Sequence, residues 1–454
     1  MGRKKSLLPI LLTTMFASFM NPFMLSGVNI SLPDIQQFFG CSATLLSWTI
    51  NAFLLTNAII LLPVSKLSDQ SGRAKYFKIG LYLFTLSSLA AALSPNISTF
   101  IVFRAIQGAG SAMMQVTGMA IVTSAYPPER RGVALGLNIG SVYTGLSVGP
   151  FVGGLLTQLG GWQFVFLASV PLAIVAIILA HINLRDNKDE LIQTTFDWKG
   201  SLIYAAAIVG IVYGGGKILS GYGSFLFATG LLLFIFFLRY EKGIQSPIFN
   251  VTLFKTNKLF SYSNLAALIH YTATSGIGFL LSLYLQISKG LTPRDAGLIL
   301  VAQPIMMAIS APLAGRLSDK TRPSLLSSAG MIITLACLFL FSMLHKDTSL
   351  FYIISLLVML GLGFGLFSSP NTNAIMGSVS KREYGIASGT SATMRVFGQT
   401  LSMMTATIFI SMLLKDQQIS PETTDLYLKS MKISFILFAI LCIPGIWFSL
   451  QRNK

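Results

Sequence analysis

Apolar runs of roughly 18 residues or more follow one another along almost the whole chain, and that feature leaves few folds open. A run of this length crosses the hydrocarbon core of a bilayer as a helix. Charged residues make up only 10% of the 454 positions, against about a quarter in soluble globular proteins. The sequence predicts an all-α polytopic membrane protein. The first run begins at Leu7 with no small-residue cleavage site after it, so a retained span is expected rather than a signal peptide.

Fourteen spans are expected, at about 7–31, 44–65, 76–94, 98–124, 132–157, 162–184, 198–217, 221–239, 258–287, 293–315, 323–344, 349–376, 384–414 and 427–449. With the N-terminus inside and loops alternating, 23 of the 32 Lys and Arg fall inside, seven outside and two, Arg104 and Arg395, within spans. That asymmetry is the positive-inside rule, with both termini cytoplasmic. The net charge of +17 is therefore an orientation signal, and nucleic-acid binding is not expected. "SKLSD" (Ser65–Asp69) ends the second span and "GRLSD" (Gly315–Asp319) ends the tenth. If each marks the second helix of a six-helix unit, residues 1–184 and 251–454 are two bundles and 185–250 a two-helix insert with its linkers. Parallel six-helix halves around a midplane cavity are a transporter architecture. Cys41, Cys337 and Cys442 lie far apart, without metal-ligand spacing, and read as buried apolar side chains.

Three motifs carry the chemistry. "LPVSKLSDQSGRAK" holds Asp69, Gly72, Arg73 and Lys75 in the loop after span 2, echoed by Arg316 and Asp319 after span 10. An acid capping a helix N-terminus, with bases pairing across a gate, is the physical logic of such a loop. "FRAIQGAGSAMM" places Arg104 and Gln107 at membrane depth, where a charge faces the interior or a cavity. In "GLSVGPFVGG", Gly145, Gly149 and Gly153 fall on one helix face for close packing, Pro150 removes a backbone donor and bends the helix, and Gly154 follows. No Gly-Lys-Ser/Thr follows, so this is not a phosphate loop.

These motifs resemble those of the major facilitator superfamily. The first is similar to its G-x-L-x-D-x-x-G-R-K/R loop, with Ser65 at the leading glycine and Lys75 one place late. The second resembles R-x-x-Q-G-x-G of the fourth helix. The third resembles G-x-x-x-G-P-x-x-G-G of the fifth helix in its antiporters. With "GWQFVFLASVP" and "GIASGTSATMRVFGQ", the whole chain resembles the fourteen-helix drug:proton antiporter branch. The resemblance implies a major facilitator fold of two six-helix bundles plus two inserted helices, alternating access, and proton-driven export of amphipathic compounds. It implies no cofactor, a bacterial cytoplasmic membrane, and a monomer whose partners are a small-molecule substrate, protons and the lipid bilayer.

One departure bears on mechanism. The branch carries an acid in mid-membrane in its first helix, and Met24 stands at that place here. All fifteen Asp and Glu fall in loops or near helix ends, with Asp34 closest to the cavity. A buried carboxylate is the usual group to bind a proton and a cationic drug in competition. What remains for coupling or relay is Arg104, Asp34 and His270, the last either a titrating group or a packing residue. Asn29, Asn51, Gln107, Gln115, Gln286, Gln303, Asn371 and Arg395 are the candidate cavity residues, although an interhelical hydrogen bond, worth about 0.6 kcal/mol, accounts for most of the amide positions. Two cations at depth without an acid also suit an anionic cargo, exchanged or carried by uniport. A non-transporting scaffold needs no gate motif in two halves. No nucleophile–base pair, metal cluster or nucleotide loop points to an enzyme.

Overall fold

The computed structural model describes residues 7–186, 195–318, 320–380, 384–415 and 417–452, with the side chains of 128–133 and 384–385 outside the description. Its long helices are α1 (Leu8–Phe39), α2 (Ala43–Ser71), α3 (Arg73–Ala92), α4 (Ile97–Ala125), α5 (Pro128–Gly160), α6 (Gln163–Asn183), α7 (Trp198–Gly216) and α8 (Gly221–Tyr240). They continue as α9 (Lys258–Ser288), α10 (Pro293–Ser318), α11 (Pro323–Phe341), α12 (Leu350–Gly377), α13 (Tyr384–Leu414) and α14 (Thr424–Gln451). Twelve are long and apolar enough to cross a membrane. The other two, α3 and α4, carry basic and polar residues; α3 packs against α4 and α6 and α4 against α2, and each keeps an exposed apolar face, with Leu86 and Val102 on it.

Short polar caps set the turns. The side chains of Ser42, Asn96, Ser220 and Ser349 accept from the first free backbone N–H groups of α2, α4, α8 and α12, the orphan donors that every helix start leaves. Gly40, at φ +60°, closes α1 in the left-handed conformation that costs glycine nothing. Consecutive helices therefore reverse, and the α2–α3 and α10–α11 turns share one end, the basic end. The α1–α2, α5–α6 and α9–α10 turns lie at the far end.

Helices α1 to α6 pack chiefly on one another, as do α9 to α14. Between them in sequence, α7 and α8 form a hairpin so close that a Cβ on Gly210 would stand 2.8 Å from the Gly230 Cα. This hairpin leans on both halves: α7 packs on α2, with the Tyr204 hydroxyl donating to the Ala58 carbonyl (3.0 Å), and on α13. Helix α9 is interrupted at Ser275–Gly276, where the Gly276 N–H donates to Ser402 Oγ of α13 (2.8 Å), and it ends in a π-turn over Tyr284–Ser288.

Candidate functional site

At the far end the two halves are joined by backbone-to-backbone contact. Gly154 of α5 abuts the Pro293 carbonyl and Arg294 at the start of α10, and Gly297 of α10 abuts the Pro150 carbonyl in return. Within the first half, Gly145, Gly149 and Gly153 face α1, and a Cβ on Gly153 would stand 2.7 Å from the Gly27 Cα. The four-residue spacing thus packs α5 on α1, while Gly154, one position round the helix, meets the other half.

Hydrogen bonds extend this closure. Gln286 and Ser282 of α9 donate to the Ile30 (2.8 Å) and Asn29 (2.5 Å) carbonyls of α1. Asn51 of α2 donates to Thr407 Oγ1 of α13 (2.8 Å). The Asn29 side chain faces Gly278, with its Oδ1 buried and unpartnered among the described residues. Asp34 lies one turn beyond Ile30 and is part-buried. At the opposite end of α5, Gly136 and Gly140 have nothing among the described residues within 4 Å of a would-be Cβ.

The basic-end loop is built differently from the sequence expectation. Arg73 Nε pairs with Asp69 Oδ1 at 2.8 Å, inside the loop and not across the halves. The acid that caps α3 is Asp186, just past α6, whose two oxygens accept from Ala74 N (2.7 Å) and Lys75 N (3.0 Å). Gly72 sits at φ +108°, and a Cβ there would stand 2.5 Å from the Asp186 Cγ, so glycine alone allows this approach. Together with Ile121, Ser124 and Asn183 these residues line a cavity of about 180 Å³. Lys75 and Arg316 are exposed, and Asp319 lies outside the described residues. Sequence reasoning missed Asp186; the available signal was an acid two residues past Leu184, the last apolar residue of span 6.

The two arginines at depth differ. Arg104 is fully buried: Nε donates to the Thr49 carbonyl (2.9 Å), Nη1 to Gln107 Oε1, and its guanidinium carbon lies 4.5 Å from the Phe53 ring centroid. Gln107 in turn donates to Ser88 Oγ (2.6 Å). Both therefore belong to the interior of the first half, with one guanidinium nitrogen, Nη2, unpartnered among the described residues. Arg395 is part-buried, makes no hydrogen bond or ion pair among the described residues, and lies within electrostatic reach of the Tyr143 hydroxyl, as does Tyr271. The Tyr143 hydroxyl is 3.4 Å from Ser368 Oγ, which links α5 to α12 across the halves. Tyr143, Tyr271 and Ser368 carried no sequence signal beyond being polar groups in apolar spans.

His270 stacks on Phe367 with ring centroids 4.0 Å apart and meets Phe364 edge-on, its two ring nitrogens buried without partners among the described residues. Asn371 donates to the Ser263 carbonyl (3.0 Å) and accepts from Arg452 Nη1 (2.6 Å), inside the second half. Gln115 and Gln303 are part-buried, the Gln115 Oε1 without a described partner.

Two helical halves clasped backbone to backbone at one end, with an arginine between them that has no partner among the described residues, are the architecture of a membrane transporter. The Major Facilitator Superfamily model matches residues 14–403 and, in a second overlapping match, 263–452, and the chain belongs to that superfamily. It is a transporter, not an enzyme. A riboflavin transporter, RibZ, of Clostridioides difficile is 28% identical over 440 residues, 96% of this chain and 95% of the relative. The tetracenomycin C resistance and export protein of Streptomyces glaucescens is 29% identical, covering 80% of this chain and 68% of that one. The multidrug resistance protein Stp of Mycobacterium tuberculosis is 30% identical, covering 82% and 70%. The fold is similar to an inward-facing, occupied bacterial homologue of the lysosomal transporter Spinster, with TM-score 0.71 at 15% identity over 100% of this chain and 98% of that one.

Proposed function

We propose that the protein is a proton-coupled exporter of amphipathic or hydrophobic small molecules, working as a monomer in a bacterial cytoplasmic membrane with both termini in the cytoplasm. One observation carries this reading: the Gly154–Pro293 and Gly297–Pro150 contacts close the far end while Gly136 and Gly140 face open space. That arrangement suits one stage of an alternating-access cycle, open toward the positively charged side that faces the cytoplasm. Export, and not import, is supported by the fifth-helix motif and by relatives named for resistance and export. In this reading residues 1–184 and 251–454 rock as two units, and Asp34 is the proton carrier nearest the closure. Arg104 and His270 act on the coupling from inside the halves. Everted vesicles with an imposed pH gradient test it: substrate-dependent proton movement is expected, and its absence with transport intact rules out antiport.

A second reading rests on Arg395. A guanidinium within reach of the Tyr143 phenol, with no hydrogen-bond or ion-pair partner among the described residues, suits an anionic cargo carried by exchange or uniport. Arg395→Gln is then expected to abolish binding of organic anions and leave neutral compounds unaffected; unchanged anion affinity removes this reading.

A further inference from the structure

We propose that Asp197 and Glu241 form a proton-binding site outside the transport path, holding one proton between two carboxyl groups and thereby fastening the α7–α8 insert to the linker that leads back to α9. Glu241, in the turn after α8, is 2% exposed, the most buried carboxylate among the described residues. Its Oε2 accepts from Phe249 N (3.0 Å), and its Oε1 has no described partner. That free oxygen is aimed at Asp197, the residue before α7, with the two carboxyl groups in hydrogen-bonding range. Asp197 Oδ1 accepts from Gly200 N (2.8 Å) and from the Tyr240 hydroxyl (3.4 Å), and its Oδ2 is likewise buried and unpartnered. Both free oxygens crowd one face of Gly200, where a Cβ would stand 2.6 Å from Glu241 Oε1 and overlap Asp197 Oδ2.

Two carboxylate oxygens cannot hydrogen-bond each other, because both only accept; one must carry a proton. Two negative charges at this distance in a buried place repel strongly, so the pair retains a proton that a solvated carboxylate would release. Among the described residues, no charged group on an adjoining element pairs with either carboxyl. Arg239, Lys242 and Lys255 gather against one another on the exposed side of the turn, and Lys66 of α2 donates to Ser246 Oγ (3.3 Å). No group of three or more metal-ligating side chains forms among the described residues, so the ligand that fits is a proton.

The consequence is mechanical. Phe249, held by Glu241, lines the apolar cleft between the insert and helices α2 and α13 together with Leu62, Tyr204 and Phe397. Loss of the proton leaves like charges facing each other and loosens this strand, and with it the seat of the insert. This inference stands whether or not the protein is an antiporter.

The test is infrared difference spectroscopy on the purified full chain in lipid, between mildly acidic and mildly alkaline buffer. The wild type is expected to show the carbonyl stretch of one protonated carboxylic acid per chain persisting to near-neutral pH, then lost. Glu241→Gln and Asp197→Asn each supply an amide donor that keeps the hydrogen bond without a proton, so both lose that band. In parallel, thiol labelling of Ile248→Cys rises with pH in the wild-type background and stays flat beside Glu241→Gln. If either variant does not fold, the other and the wild-type labelling profile still decide. A band absent from the wild type, or present unchanged in both variants, overturns the proposal. So does protection of the alkaline form by sodium, magnesium or calcium, which would make the site one for a metal cation.

Discussion

Replacing Gly154 by Ala tests the far-end clasp directly. The new Cβ would stand 2.9 Å from the Pro293 carbonyl carbon, 3.0 Å from the Arg294 Cα and closer still to the Pro293 oxygen. These are backbone atoms of the other half and cannot rotate aside as a side chain does, so α5 and α10 must separate. Overpacking of this kind costs about 1–3 kcal/mol. The cost falls only on the state in which the far end is closed; a state with the far end open is spared. The equilibrium between the two therefore shifts by roughly 5- to 150-fold toward far-end opening. Spin labels at Leu159 (75% exposed) and Phe351 (81% exposed), at the far ends of α5 and α12, report it as a growing long-distance population. The three native cysteines are buried, which keeps background labelling low. Gly136→Ala and Gly140→Ala meet nothing within 4 Å and serve as controls. An unchanged distance distribution in Gly154→Ala, or an equal shift in Gly136→Ala, refutes the argument.

Four further outcomes follow from the geometry. Gly72→Ala forces a side chain into positive φ and into the Asp186 carboxyl, and is expected to lower stability by about 1–3 kcal/mol, read as a depressed thermal unfolding midpoint; Asp186→Ala, which removes the α3 cap, should cost about 0.5–2 kcal/mol in the same assay. Arg452→Ala leaves Asn371 Oδ1 without its donor inside the second half, a loss of about 1–3 kcal/mol that Arg452→Lys recovers only in part because two acceptors are bridged by one guanidinium. His270→Phe replaces two unpartnered ring nitrogens among aromatic rings with carbon, so stability is expected to hold or rise; if proton-driven transport is lost while the fold is strengthened, His270 is a coupling residue, and if transport persists it is packing.

Much of the fold is legible in the sequence because it is written in residue types with few physical uses. Apolar length gives the spans, and glycine with proline marks close helix approach in α5. The partners of those glycines are not legible. The spacing in "GLSVGPFVGG" sets Gly153 and Gly154 on different faces, but not that Gly153 meets Gly27 of the same half and Gly154 meets Pro293 of the other. Likewise the loop motif announces a capping acid but not which one. Asp69 is taken by Arg73 four residues on, and Asp186 arrives from the end of α6, more than a hundred residues later in the chain.

Polar side chains at depth show the same boundary more sharply. In sequence Arg104 and Arg395 are equivalent: each a lone base in an apolar helix, each a reasonable cavity residue. Tertiary structure separates them. Arg104 has a carbonyl, an amide oxygen and a phenyl face, all from the first half, so its charge is occupied in holding α4 to α2. Arg395 lies within electrostatic reach of the Tyr143 phenol across the interface and makes no hydrogen bond among the described residues, so its hydrogen-bonding capacity is free. A buried charge therefore points to a ligand only after its internal partners are subtracted. By that measure the surroundings of Arg395 are cationic and aromatic, with no described carboxylate paired to it. A cargo that brings its own acidic or electron-rich oxygen satisfies Arg395 without help from the protein, whereas a permanently cationic one leaves two like charges facing each other. That preference separates the two transport readings more cleanly than any motif does.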